Sequence, residues 1–176
     1  ILLFTGCSHE SRQEVSKTFF AMDTVMNFSV YGDEKILDQT ETIISDLESQ
    51  MSVTDSSSQI AALNKNGSVT LTGDTRTLVQ KALSLCERTD GALDLSIYPI
   101  VDYKQIQYEP ESGEISLPND MEIDLGSVAK GYAGQKVADY LKENGVTSGL
   151  LSLGGNIQAI GNKPDGSPWK IGIQDP

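Results

Sequence analysis

The chain has 176 residues, enough for one domain with a small appendage. Thirteen Lys and Arg against 25 Asp and Glu leave a net charge of −12. That balance excludes a basic groove for nucleic acid and electrostatic docking on an anionic bilayer. Apolar residues at 38% and charged residues at 22% describe a globular chain rather than a disordered one. Two Cys and one His exclude a disulfide framework and a His-rich metal site. A small anion held in a locally positive pocket remains open.

The chain starts with the apolar run Ile1-Leu2-Leu3-Phe4, too short to span a bilayer. It reads as the tail of a secretory signal. Cys7, directly after Thr5-Gly6, resembles the lipid-bearing Cys of a bacterial lipobox, with a plain signal peptide as the alternative. Ser8 to Lys17 is polar and reads as a flexible tether in which His9 is solvated. Residues 1–17 are therefore expected to be signal remnant, lipid site and tether, and residues 18–176 the folded domain.

Within that domain Thr24 to Tyr31 alternates as a half-buried strand, with Met26, Phe28 and Val30 on the inner face. Ile36, Leu37, Ile43, Ile44, Leu47 and Met51 follow helical spacing. After the turn cluster Thr54 to Ser58, a short helix carries Ile60 and Leu63. It is capped by Ser57 or Ser58 and closed near Asn66-Gly67. Val69 to Leu71 is a short strand. A helix over Thr75 to Arg88, with Asp74 as its cap, buries Leu78, Val79, Ala82, Leu83 and Cys86, which makes Cys86 a small core residue. Asp90-Gly91 breaks it. Ile106 to Tyr108 and Glu114 to Leu117 form a hairpin, and a helix over Ser127 to Asn144 ends at Gly145. Leu150 to Leu153, Ile157 to Ile160 and Trp169 to Ile173 read as strands. Interleaved helices and strands give the α+β class.

The chemistry concentrates in Ile123-Asp124-Leu125-Gly126-Ser127-Val128-Ala129-Lys130. A strand end delivers Asp124, small residues open a helix, and Lys130 follows within two turns. A helix start offers free N–H groups and the positive end of the dipole. Gly126 permits close approach to the backbone, and Lys130 adds a point charge for a phosphate. Asp124 offers an acceptor to a ligand or faces a metal. The competing reading is a plain strand-to-helix turn with an Asp124–Lys130 ion pair. Neither a Walker loop nor a dinucleotide fingerprint is present. Two further candidates are the turn Thr89-Asp90-Gly91-Ala92-Leu93-Asp94 and the Gly pair in Leu153-Gly154-Gly155-Asn156-Ile157. The second reads as a ligand approach or a bulge.

The run Asp124 to Ala133 closely resembles the core signature of the ApbE-type flavin transferases. Ala21-Met22-Asp23-Thr24 resembles that family's Met-Gly-Thr element. Met51-Ser52-Val53 with Ser58-Gln59-Ile60 and Asn64 resembles its Met-Ser…Ser-Glu-Ile…Asn segment. The turn at 89–94, the Gly pair, and Pro164 to Pro176 follow in the same order. The resemblance implies an ApbE/T-fold-like mixed sheet packed by helices, of which this chain carries the proximal part. It implies an exported, lipid-anchored enzyme outside the bacterial cytoplasmic membrane. Such an enzyme takes FAD with Mg²⁺, passes FMN to a Thr hydroxyl of an acceptor protein and releases AMP. Some members instead hydrolyse FAD to FMN and AMP, and a flavin-binding lipoprotein without catalysis is a third possibility. By position, Met22, Asp90, Gly91, Ala92, Asp124 and Lys130 would contact FAD, and Ser127 would offer Mg²⁺ its carbonyl. The remaining metal ligands, an Asp and a Thr, and the catalytic residues would lie beyond Pro176.

The sequence departs from the family pattern at three places. Asp23 stands where the family has Gly. Thr54 stands where it has Tyr, so an aromatic wall for the cofactor is missing. A Trp-containing segment is absent where Ile97-Tyr98-Pro99-Ile100-Val101 runs almost directly into Tyr103.

Overall fold

The computed structural model of the protein describes residues 13–173. Cys7 and His9 lie outside the described residues. Strand β1 (Glu14–Ala21) pairs antiparallel with β2 (Thr24–Tyr31), from Glu14 opposite Tyr31 to Ala21 opposite Thr24. Glu14 to Lys17, read above as tether, is therefore strand. Two more antiparallel partners, β8 (Gly149–Leu153) and β9 (Asn156–Ile160), complete a sheet in the order β1-β2-β8-β9. Helices α1 (Ile36–Met51) and α4 (Gly126–Glu143) pack on one face of it.

The alternation in β2 does what it predicts: Met26, Phe28 and Val30 are buried beside Leu151 and Leu153 of β8. Opposite them lie Leu37, Ile44, Leu47 and Met51 of α1, and Ala133, Val137, Ala138 and Leu141 of α4. Small residues let α4 approach closely. A Cβ on Gly134 would lie 3.3 Å from Leu153 Cδ1.

Between these parts run α2 (Gln59–Asn66), β3 (Ser68–Thr70), α3 (Gly73–Arg88), β4 (Ser96–Ile97), β5 (Gln107–Tyr108), β6 (Glu114–Ser116) and β7 (Glu122–Ile123). They add a small sheet in the order β3-β6-β5 and the pair β4-β7. The α+β class stands. Every strand pairing among the described residues is antiparallel.

Ser58 caps α2 by accepting from the Ala61 N–H at 2.9 Å, and Gly67 closes it in the left-handed conformation. Asp74 does not cap α3. The N-cap is Thr72, and Asp74 sits in the first turn with its carboxylate turned to α4. Trp169 to Ile173 is not a strand, because no described strand lies beside it to take up its backbone groups. Gly154 and Gly155 form the two-residue turn of the β8–β9 hairpin, at φ 61° and 93°, with Leu153 opposite Asn156. Their glycines are explained by the backbone, without a ligand or a bulge. Among the described residues no helix is long and apolar enough to cross a membrane.

Candidate functional site

A cleft of about 210 Å³ opens between the β1–β2 turn, the end of α1 and the start of α4. Met22, Asp124 and Lys130 line it together, joined by Asp23, Glu48 and residues 51–54. The structure thus unites three of the sequence-predicted residues from positions up to 108 apart in the chain, taking 130 − 22. Ser127 lies beside them, exposed in the first turn of α4. The turn carrying Asp90, Gly91 and Ala92 is not part of the cleft lining.

The turn at Met22-Asp23 connects β1 to β2 with two residues, both left-handed at φ 49° and 56°. That is the form matching the twist of a two-residue hairpin, and it favours Gly, Asn or Asp. The departure at Asp23 is therefore a tolerated substitution in a left-handed position. The Met22 N–H donates to Glu48 Oε1 at 2.9 Å, which pins the turn to α1. Glu48 carries no motif signal. On sequence alone it is one more acid on the polar face of a helix.

Short β7 ends at Ile123, which is fully buried, and delivers Asp124. The Asp124 N–H donates to the Leu95 carbonyl at 2.9 Å. One Asp124 carboxylate oxygen, Oδ1, accepts from the Gly126 N–H at 2.5 Å. A Cβ at Gly126 would sit 2.9 Å from that oxygen, which explains the glycine. Asp124 Oδ2 has no hydrogen-bond partner among the described residues.

Lys130 is half-buried one turn into α4. The ion pairs among the described residues belong to Lys17, Lys136 and Lys142. The Asp124–Lys130 pair of the plain-turn reading does not form. The cleft therefore presents a lysine that makes no ion pair among the described residues, next to a helix start, with the carboxylates of Asp23, Glu48 and Asp124 also in its lining.

The turn after α3 has a structural logic of its own. Asp90 and Gly91 are left-handed at φ 49° and 80°, and the Gly91 N–H donates to the Cys86 carbonyl at 2.9 Å. Asp94 Oδ1 accepts from the Ser96 N–H and hydroxyl, and Oδ2 from the Tyr103 N–H. Burial pushes the Asp94 carboxyl up, but these donors outweigh it and hold the group below its usual range. Asp94 thereby closes the loop that includes Ile97 to Val101. Burial raises the Cys86 thiol, as befits a core residue rather than a nucleophile.

No group of three acidic, His or Cys side chains forms a metal site among the described residues. The oxygen donors at the start of α4 suit a hard cation in kind but supply only part of a set. Mg²⁺ needs few protein ligands when substrate phosphates complete its shell, so these donors fit that role. Thr54 lies in the cleft lining, and among the described residues no aromatic side chain lines the cleft.

A profile of the ApbE family matches residues 22–116 and 99–176. The chain belongs to the ApbE family. Both matched stretches include 99–116, next to the place where the Trp-containing segment is absent. The chain is similar to an FAD:protein FMN transferase of Vibrio cholerae, 28% identical over all of this chain and 63% of the relative. It is also similar to that of Haemophilus influenzae, 27% identical over 81% of this chain and 51% of the relative. The solved flavin transferase ApbE from Vibrio cholerae superposes with a TM-score of 0.83 at 22% identity, over 93% of this chain and 64% of that one. The ApbE protein of Thermotoga maritima gives 0.83 at 24%, over 93% and 64%. These two likenesses show the fold. The chain spans about half to two thirds of the length of the relatives it matches.

Proposed function

We propose that the protein moves the FMN half of FAD onto a Thr hydroxyl of an acceptor protein, with Mg²⁺ as the cation and AMP as the leaving product. One observation carries this reading: Lys130 is half-buried in the cleft, without an ion-pair partner, at the start of α4. Withdrawing a cation from water is costly unless an anion meets it. A pyrophosphate supplies that anion. Relatives named FAD:protein FMN transferase align over most of the chain, which supports the same chemistry.

In this reading Lys130 holds a phosphate oxygen beside the N–H groups of the α4 first turn. Asp124 accepts from a ligand hydroxyl or ring N–H through Oδ2. Met22 packs on the flavin nucleotide, its turn held by Glu48. Asp90, Gly91 and Ala92 take a part of FAD that reaches outside the cleft. Ser127 would offer its carbonyl to Mg²⁺, which when bound would supply positive charge for the phosphate oxygens. The acceptor Thr Oγ bonds to the FMN phosphorus, and the bond from that phosphorus to the bridging oxygen breaks. The bridging oxygen leaves with AMP, and the Thr proton passes to a general base. We place that base, and the Asp and Thr completing the metal set, in the part of the relatives' length that this chain does not span.

The test incubates the full-length protein with FAD, Mg²⁺ and a Thr-bearing acceptor peptide. AMP is followed by chromatography and peptide-bound flavin by in-gel fluorescence. Covalent flavin on the peptide is the expected result. Free FMN with AMP would replace transfer by hydrolysis. Intact FAD bound without turnover would leave only a flavin-binding lipoprotein.

We further propose that the residues before β1 act as an export and anchoring segment. Its lipid sits on Cys7, at the outer face of the bacterial cytoplasmic membrane. Labelled fatty acid should enter the protein and be lost in Cys7→Ser. Label persisting in that variant would refute the anchor.

A further inference from the structure

We infer that Asn64 is a positioning residue for the cleft: its side chain acts as a third strand on β7 and sets the place of Asp124 and the α4 start. The inference rests on the proposed phosphate-binding reading for its consequence in affinity, but not for its geometry. Asn64 is half-buried near the end of α2. Its Oδ1 accepts from the Ile123 N–H at 2.9 Å, and its Nδ2 donates to the Ile123 carbonyl at 3.0 Å. The backbone itself fixes which way the amide points, since an N–H needs the oxygen and a carbonyl needs the nitrogen. The two residues are 59 apart in sequence.

Two residues make a weak strand. Strand β7 has β4 on one edge, with Ser96 opposite Ile123 and Ile97 opposite Glu122. On its other edge it has Asn64 in place of a strand. Ile123 is fully buried, so its backbone groups cannot turn to water instead. The next residue is Asp124, followed by Gly126, whose N–H it holds, and then by Lys130. A shift of β7 is passed directly to the carboxylate, the helix start and the cation. Misplacement of about 1 Å at such a site can weaken its action by roughly a hundredfold. Capping of α2 at both ends by Ser58 and Gly67 makes the anchor itself rigid.

The experiment compares the full-length protein with Asn64→Ala and Asn64→Asp. Asn64→Asp keeps an acceptor for the Ile123 N–H but turns an oxygen toward the Ile123 carbonyl. Ile160→Val, a core truncation in β9 away from the cleft, controls for general destabilisation. Three quantities are read: melting temperature, amide hydrogen exchange and the FAD dissociation constant from flavin fluorescence. Both Asn64 variants should lose protection at residues 123–129 specifically and bind FAD at least tenfold more weakly. Ile160→Val should lower the melting temperature and leave the other two readouts unchanged. Unchanged protection at 123–129, or a lower melting temperature with unchanged FAD affinity, would overturn the inference. If the unsubstituted protein binds no FAD, the functional reading falls and the exchange pattern alone decides the clamp. If Asn64→Ala does not fold, Asn64→Ser, which keeps a short hydroxyl partner, is measured in the same way.

Discussion

Replacing Lys130 by Ala tests the site most directly. The side chain makes no ion pair or hydrogen bond to the described residues, so its loss removes no native contact of that kind. Stability should therefore change by no more than about 0.5 kcal/mol. Binding should change far more. A hydrogen bond to a charged group contributes about 1.5–3 kcal/mol, and Lys130 is half-buried in the cleft lining. At about 1.4 kcal/mol per decade, FAD should bind roughly 10- to 150-fold more weakly. Riboflavin, which has no phosphate, should bind the variant as it binds the parent. Fluorescence titrations of both ligands at two salt concentrations read the effect. The FAD affinity of the parent should fall with salt more steeply than that of the variant. An unchanged FAD dissociation constant, or equal losses for FAD and riboflavin, would refute the assignment of Lys130 to a phosphate.

Three further outcomes follow from the geometry. Asp23 sits at φ 56°, so Asp23→Val should destabilise the fold by about 1–2 kcal/mol while Asp23→Gly stays close to the parent, as urea melts will show. A Cβ at Gly154 would lie 2.3 Å from Thr24 Oγ1, where φ is also 61°, so Gly154→Ala should cost about 1–3 kcal/mol in the same assay. Burial pushes Asp74 up, but the Tyr132 hydroxyl at 2.6 Å and Lys136 at 3.0 Å outweigh it, so its folded pKa lies below the unfolded value. Its contribution is then present above about pH 4 and lost as pH falls through the lower folded value; Tyr132→Phe should flatten that acid limb in melts taken across the carboxylate range.

The elements with a full period were legible in the sequence. Strand β2, with three buried residues in alternation, and helices α1 to α4 fall within a residue or two of their expected bounds. Strands β4 and β7 were not, because two residues have no period to read. Strand β1 was missed because half of its side chains, including Ser16, Lys17 and Thr18 in a row, are polar and it lies at a sheet edge, where alternation is only partly buried. Trp169 to Ile173 shows the reverse error, since alternation identifies a strand only when a partner takes its hydrogen bonds. In the site, Asp124 and Lys130 are close in sequence and readable as a unit. Met22 joined them only through the family resemblance. Glu48 and the role of Asn64 gave no local signal, because each acts on a backbone group far away in the chain.

Charge is where sequence and structure meet most closely. A net −12 argues against polyanion partners, yet the cleft is assigned to an anionic cofactor. The resolution lies in which cations are already taken. Lys17 is held by Asp38 and Glu41, Lys136 by Asp74, and Lys142 lies by Asp139. Lys81 and Lys104 lie over the rings of Tyr132 and Tyr103. Within the cleft, Glu48 and Asp124 each turn one oxygen to a backbone N–H, of Met22 and Gly126, rather than to a lysine. Salt screens exposed charges beyond about 8–10 Å, so the distant acidic surface barely reaches a ligand there. The local field combines the α4 start and Lys130, whose charge has no ion-pair partner among the described residues, with the carboxylates of Asp23, Glu48 and Asp124 that line the same cleft. An excess of acids over the whole surface and a phosphate site are compatible because distant charges are screened, while Lys130 and the α4 start stand next to the ligand and the cleft carboxylates Glu48 and Asp124 each hold a backbone N–H.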